Sequence, residues 1–304
     1  MVLITGGSGY LGGRISSCLI QLGYKVRIGK SFNSNSNGFP IDFTDDNSLN
    51  SACDGISSII HLASMNAQSC FDSPEEALLV NSLGTLKLLN AAKKNKVSKL
   101  LYFSTAHVYG SPLIGEINEE SLPRPLHPYS ISHRVAEDYI LEEVYKKKLT
   151  ASVFRLTNAV GPPITPQVNC WMLVANDLCR QAVTSKSIKV NSSKLSQRDF
   201  IPISSVCSIA SSWLNSNILD GKVVNLSSGV SITLESLATL IAERSEIVLG
   251  FKPQIYFLNN SIEIDTKRLT ISNKKLNDLG LEINNDLSDE IDQLLINCNK
   301  WFSK

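Results

Sequence analysis

Val2-Leu3-Ile4-Thr5-Gly6-Gly7-Ser8-Gly9-Tyr10-Leu11-Gly12 decides the fold of this chain. The apolar run at its start predicts a buried strand, and the glycines at 6, 9 and 12 predict a sharp turn that brings backbone close to a pyrophosphate. Leu11, Ile15, Leu19 and Leu22 then fall on one helical face, with Gly23 as a stop. The N-terminus of that helix offers unpaired N–H groups and the positive end of a dipole. Spaced glycines alone are a weak signal. A strand before them and a helix after them supply the context of a dinucleotide-binding turn. A tight turn without a ligand leaves the third glycine unexplained. Gly6, Gly9, Tyr10, Leu11 and Gly12 are therefore candidate cofactor-binding residues.

Working outward, strands and helices alternate through the first half. The patterns predict strands at 25–28, 56–63, 99–104 and 151–156. They predict helices at 75–94, with Ser73 as cap and Pro74 in the first turn, and at 129–145. Residues 31–38, rich in Ser and Asn, read as a surface loop. This alternation implies a Rossmann-like, doubly wound parallel sheet of the α/β class. After Gly161-Pro162-Pro163 the rhythm breaks. Residues 164–200 read as helical and then extended, 222–226 as a return strand to the main sheet, and 255–258 as a further strand among short helices. The expected organisation is a dinucleotide-binding domain at 1–157, with the return strand, and a smaller substrate-binding lobe at 158–304.

Bulk properties narrow the partners. The 304 residues are enough for a sizeable core. With 43% hydrophobic and 19% charged residues the composition is that of a globular protein. A net charge of +1 gives no electrostatic reason to expect nucleic acid or a membrane surface as partner. No apolar run reaches the length of a membrane span, and a first strand at Val2 leaves no room for a signal peptide. Cys18, Cys53, Cys70, Cys170, Cys179, Cys207 and Cys298 are odd in number and form no Cys-x-x-Cys pair. They read as small apolar residues of a reducing, cytoplasmic compartment, with no metal site. Lys93-Lys94 and Lys146-Lys147-Lys148 read as solvated helix faces.

A second constellation carries chemistry. Ser104-Thr105-Ala106-His107-Val108-Tyr109-Gly110 ends the fourth strand, and Pro128-Tyr129-Ser130-Ile131-Ser132-His133 opens a helix. In a doubly wound sheet the C-terminal strand ends face the ligand. A strand-end hydroxyl and a tyrosine on the next helix can converge on one carbonyl, the phenol moving a proton and the hydroxyl orienting the oxygen.

At these residues the chain resembles the extended short-chain dehydrogenase/reductases, the NAD(P)-dependent nucleotide-sugar epimerase/dehydratase group. The resemblance extends through His61-Leu62-Ala63-Ser64, Asn81, Phe154-Arg155-Leu156-Thr157-Asn158-Ala159-Val160-Gly161-Pro162 and Arg198-Asp199-Phe200. It implies Tyr129 as catalytic acid/base and Thr105 as its hydroxyl partner. It implies Asn158 and Arg198 as holders of the substrate's nucleoside diphosphate, for which a guanidinium fork is suited. It further implies an adenine contact at Asp42-Phe43, cofactor contacts at Leu62, Ala63, Ser64 and Asn81, and a homodimer paired through two helices per subunit.

The chain also departs from that pattern. The family's lysine four residues after the tyrosine, which grips the nicotinamide ribose and favours the phenolate, is His133 here. A neutral imidazole can still bond the cofactor, but it supports Tyr129 as a base poorly and as an acid well. That asymmetry predicts better ketone reduction than alcohol oxidation. At the end of the second strand, Ile28-Gly29-Lys30-Ser31 lacks the usual acid, and Lys30 suits a 2′-phosphate, so NADP is favoured over NAD. Ala106-His107 replaces the acidic pair of the 4,6-dehydratases, which argues against dehydration and leaves His107 as a candidate substrate contact. Ser204-Ser205 stands where an acid is common, without a functional account. Three readings stay open: 4-keto reduction or epimerisation of a nucleoside-diphosphate sugar, reduction of a non-sugar carbonyl compound, and a cofactor-binding sensor or scaffold without turnover.

Overall fold

A computed structural model describes residues 1–258 and 268–303. In chain order its first half runs β1 (Val2–Thr5), α1 (Tyr10–Gln21), β2 (Val26–Ser31), β3 (Phe39–Ile41), α2 (Asp46–Cys53), β4 (Ser58–His61), α3 (Ala67–Asp72), α4 (Pro74–Ala77), α5 (Gly84–Lys94), β5 (Lys99–Thr105), β6 (Gly115–Ile117), α6 (Pro128–Tyr145) and β7 (Thr150–Leu156). The second half runs β8 (Asn158–Val160), α7 (Val174–Ser185), β9 (Ser187–Val190), β10 (Gln197–Pro202), α8 (Ile203–Asn215), β11 (Val223–Leu226), β12 (Ser231–Thr233), α9 (Leu234–Leu249), β13 (Gln254–Phe257), β14 (Leu269–Ile271), α10 (Lys274–Asn277) and α11 (Ser288–Phe302).

The chain divides into two compact units. The first comprises residues 1–113, 119–156 and 207–225. Its sheet has the order β11-β7-β5-β4-β1-β2-β3, so the strand expected at 222–226 does join the main sheet. The pairings among β1, β2, β3, β4, β5 and β7 are all parallel. The order reverses between β1 and β4, which makes their C-terminal ends the topological switch point where such sheets bind ligands. All four residues of β1 and of β4 are buried. Helices cover both faces, which is why these strands read as continuous apolar runs and not as alternating ones.

Four local expectations are corrected. The helix expected at 75–94 is interrupted by a π-helical turn, Leu78–Leu83. The widened turn lets Asn81 and Ser82 reach α6, where they bond the Ser132 hydroxyl (3.0 Å) and carbonyl (2.9 Å). Ser73 makes no capping side-chain bond; α3 ends just before it and takes its N–H at the Ser69 carbonyl. Leu22 lies beyond the last turn of α1 and is exposed, whereas Ile15 and Leu19 are fully buried. Phe39-Pro40-Ile41 forms a strand that sequence did not announce; it is the sheet edge, where proline's missing donor is tolerated.

The second unit comprises residues 114–118, 157–206 and 226–304 as far as described. It holds the sheet β12-β10-β8 and the parallel pairs β13-β9 and β14-β6. Its core joins α7, α9 and α11 through Leu178, Ala182, Leu237, Ile241, Ile291 and Leu294. The short helices expected in this third are thus two long ones, 16 and 15 residues in α9 and α11. No helix among the described residues is long and apolar enough to cross a membrane.

Within the first unit one buried ion pair ties α6 to the sheet. Arg155 on β7 donates through Nη2 to Glu137 Oε2 (2.8 Å) and through Nε to Oε1 (3.1 Å). Both side chains are almost completely buried, and the Arg155 guanidinium also lies over the Tyr109 ring. Removing one partner of such a pair strands the other charge. Glu137→Gln is therefore expected to cost about 3–5 kcal/mol of stability, measured by thermal unfolding. Replacing both partners with apolar residues of similar volume is expected to recover most of that loss.

Candidate functional site

The glycine turn is shaped by backbone contact. Gly6 takes a φ of +65°, and a Cβ there would lie 3.0 Å from the backbone of Ala63. At Gly12 a Cβ would overlap the Gly6 carbonyl oxygen and sit 2.8 Å from the Gly7 Cα. Gly9 donates its N–H to the Gly6 carbonyl (2.9 Å) and is the N-cap of α1, which no side chain closes. The first N–H groups of a helix have no intrahelical partners and attract anions. A cradle that any side chain would fill, ahead of an uncapped helix, fits a pyrophosphate.

Behind the turn, Thr5 pins the switch point. Its Oγ1 accepts from the N–H groups of Leu62 and Ala63 (3.2 Å each) and bonds His61 Nδ1 (2.6 Å). His61 Nε2 bonds Thr85 Oγ1 (2.9 Å), which donates to the Asn81 carbonyl (2.6 Å). Burial lowers the His61 pKa to about 3, so this ring is a neutral structural link. Ser64 is exposed just beyond. Asn81 spends its amide inside the protein: its oxygen accepts from Met65 N–H (2.8 Å), and its nitrogen donates to Ser132 and, at 3.6 Å, to the Cys70 sulfur.

At the end of β2, Lys30 donates through Nζ to the Ser34 carbonyl (2.6 Å), closing the loop that follows. The Asp42 carboxylate accepts from Thr44 N–H and Oγ1 (2.8 and 2.7 Å), and these bonds hold its pKa below the usual carboxylate value. Phe43 stacks on His61 with ring centroids 5.7 Å apart.

The proton-transfer candidates lie at the end of β5 and the start of α6. Thr105 is buried, and its Oγ1 accepts from His107 N–H (3.2 Å), capping the 3₁₀ turn Ala106–Tyr109. That turn makes His107 half-buried. Tyr129 is the second residue of α6, behind Pro128 and a His127 cap whose Nδ1 accepts the Tyr129 N–H (3.2 Å). The Tyr129 ring is half-buried, and its hydroxyl bonds no described residue. Burial, with a smaller effect from the Cys70 thiol, pushes its pKa up to about 12.

One turn on, the His133 ring meets Tyr129 edge to face at 4.5 Å. Burial lowers the His133 pKa to about 4, so the ring is neutral at neutral pH. Its Nδ1 bonds the Tyr102 hydroxyl (2.7 Å), while its buried Nε2 has no partner. Tyr102 on β5 is a site residue that sequence reading missed. The available signal was a polar-tipped aromatic inside a wholly apolar strand. An orphaned buried nitrogen beside a free phenol, in the same unit as the glycine cradle, fits a dinucleotide cofactor.

In the second unit, Asn158 on β8 donates through Nδ2 to the Asp199 carbonyl (2.8 Å) of β10. The neighbouring Arg198 is half-buried, its side chain forms no ion pair or hydrogen bond with any described residue, and its buried Nε has no partner. Burial lowers its pKa. Asp199 braces the strand: its carboxylate accepts from Thr157 Oγ1 (2.6 Å), Ser228 N–H and Oγ (2.9 and 2.8 Å) and Gly229 N–H (3.1 Å). A fork of unspent donors in that setting suits a phosphate.

Comparison with known proteins bears on family and fold. Residues 2–227 match the family described as the NAD dependent epimerase/dehydratase family. The chain is 24% identical over 311 residues to a putative UDP-glucose 4-epimerase of Methanocaldococcus jannaschii, covering 97% of each chain. It is 31% identical over 199 residues to the GDP-6-deoxy-D-mannose reductase of Pseudomonas aeruginosa, covering 63% of this chain and 64% of that one. Its fold matches the structure of RMD from Pseudomonas aeruginosa complexed with NADPH, with a TM-score of 0.81 at 23% identity over 98% of both chains. Parallel sheet, glycine cradle and ordered motifs together with this match establish that the chain belongs to the NAD dependent epimerase/dehydratase family.

Proposed function

We propose that this enzyme reduces a keto group, at the 4-position of the sugar, on a nucleoside-diphosphate sugar. The observation that carries the reading is the neutral His133 ring against a Tyr129 phenol pushed up to about 12. A phenol that keeps its proton is an acid, and the reductive direction needs an acid.

The glycine turn and the N-terminus of α1 would hold the pyrophosphate of the coenzyme, with His133 as a further contact. When bound, the coenzyme supplies the hydride. Tyr129 would give its phenolic proton to the carbonyl oxygen as that oxygen becomes an alkoxide, and the resulting phenolate would be reprotonated from solvent. The Thr105 hydroxyl bonds the same oxygen and orients it. Arg198 offers its fork to the diphosphate, and Asn158 and His107 complete the substrate contacts. Epimerisation through a transient ketone is the second reading, favoured by the relatives named above. It requires the phenol to act as base in each turnover, which an uncharged His133 does not assist.

NADPH is the coenzyme of this reading. Gly29-Lys30-Ser31 carries no acid to accept a ribose 2′-hydroxyl, and the Lys30 ammonium can exchange the Ser34 carbonyl for a 2′-phosphate. The protein works as a cytoplasmic homodimer in this account. Leu78, Leu79 and Leu83 on the π-helical turn, and Ile131 and Tyr139 on α6, leave an exposed apolar face on two packed helices.

The direction of catalysis is tested by following NADPH oxidation with 4-keto nucleoside-diphosphate sugars and NADP reduction with the corresponding alcohols. The wild type is expected to favour reduction. His133→Lys is expected to raise alcohol oxidation roughly 10- to 1000-fold, and no gain in that variant would refute the assignment of direction. Lys30→Ala is expected to weaken NADPH binding roughly tenfold or more while NADH binding stays unchanged. An equal effect on both coenzymes, read by titration calorimetry, argues against a 2′-phosphate contact. Leu79→Glu with Leu83→Glu is expected to yield a folded monomer in sedimentation, and an unaltered oligomeric state rules out this face.

A further inference from the structure

Two buried hydrogen-bonding groups share one contact on the inner face of α6, and counting their protons assigns a residue that the family pattern does not supply. The Tyr102 hydroxyl is buried on β5, and its one bond among the described residues is to His133 Nδ1, at 2.7 Å. His133 is itself 2% exposed, and its Nε2 has no partner. A neutral imidazole carries one N–H, on one nitrogen or the other. If Nδ1 held it, Nδ1 would donate to the phenol oxygen. The phenol hydrogen would then have no acceptor, and the Nε2 lone pair would have no donor. If Nε2 holds it, the phenol donates to Nδ1 and is satisfied. One group alone, the Nε2–H, then lacks a partner. Every unmet buried polar group is costly, so the second arrangement is the stable one.

We infer that Tyr102 is a positioning residue that locks His133 as its Nε2–H tautomer, so that the ring presents an uncharged N–H donor to a sugar-hydroxyl oxygen of the ligand bound beside Tyr129. The inference rests on the reading of this site as one for a coenzyme and a sugar substrate. The surroundings keep the ring uncharged. Tyr102 faces it from β5 and Tyr129 from its own helix. His61 on β4 is a neutral ring tilted against Tyr102, with centroids 5.4 Å apart. Glu137, one turn further along α6, is committed to Arg155 and Arg134, and Cys70 on α3 is a buried thiol. Among the described residues no carboxylate bonds the imidazole to draw a second proton onto it. The Tyr102–His133 pair thus replaces a cationic donor with a neutral one of fixed polarity. It keeps the bond to a hydroxyl and gives up the charge that would ionise the phenol.

Imidazole-nitrogen NMR on ring-labelled protein without ligand tests the lock. The chain has four histidines, and the His133 signals are identified by their loss in His133→Gln. The expected result is an Nε2–H signature for the wild type near neutral pH and a mixed or reversed tautomer in Tyr102→Phe, which keeps the ring and removes only the hydroxyl. An Nδ1–H signature in the wild type, or a tautomer unchanged in Tyr102→Phe, overturns the proposal. Binding measurements then identify the acceptor. If it belongs to the coenzyme, Tyr102→Phe weakens NADPH binding roughly three- to tenfold. If it belongs to the substrate, the same variant raises KM for the keto sugar at saturating NADPH and leaves coenzyme binding unchanged. His133→Gln, which retains an N–H donor, is expected to bind within a few-fold of wild type, whereas His133→Leu is not. A change in neither coenzyme nor substrate binding overturns the donor role. Correct tautomer and intact binding without ketone turnover support the lock and refute the reductase reading instead.

Discussion

The constraint on which the site depends is the approach of α1 to the end of β1. A Cβ at Gly12 would overlap the Gly6 carbonyl oxygen, so the helix can start where it does only if position 12 has no side chain; packing alone accounts for the third glycine, contrary to the expectation from sequence. That approach sets the uncapped N-terminus of α1 beside the point where strand order reverses. Thr5 holds the other side, bonding the Leu62 and Ala63 amides and the His61 ring. Anion-binding backbone and sheet crevice therefore arise from one packing contact, with no charged side chain required.

The second determinant is the inner face of α6, where Tyr129, His133 and Glu137 recur at intervals of four. Each meets a different partner from the sheet or none: a free hydroxyl at the first, Tyr102 at the second, Arg155 at the third. Burial sorts their charges. Glu137 is met by two guanidinium groups, Arg155 from the sheet and Arg134 from its own helix. His133 meets only a phenol, and without a counter-charge its neutral form wins. A single helix thus carries an ion-paired anchor and, nearer its start, an uncharged ring.

Legibility in the sequence followed locality. The glycine turn, the alternation of strands and helices and the return strand could be read from short windows, because each is decided by neighbours along the chain. Asp199 stood in a recognised motif, yet its work as a brace for β10 involves Ser228 and Gly229, thirty residues away. Tyr102 was invisible as a functional residue because a tyrosine in an apolar strand looks like core. The π-helical turn at Leu78–Leu83 was missed because its residues have ordinary helical propensity; only the reach of Asn81 and Ser82 to Ser132 favours the extra residue. The second unit was read most coarsely. Strands of three residues such as β6, β12 and β14 carry too little periodicity, and β14 pairs with a segment some 150 residues earlier.

Taken alone, the order of residues determined that this chain is a doubly wound α/β protein with a glycine-rich strand-to-helix turn, since glycine spacing and apolar runs act through short-range sterics and burial. It also determined that a histidine, and not a lysine, follows the tyrosine by one turn. Tertiary structure decided what that histidine is. Burial removed its charge and the Tyr102 hydroxyl supplied its one partner, both through contacts that bring distant strands onto one helix face, where desolvation and hydrogen bonding act together.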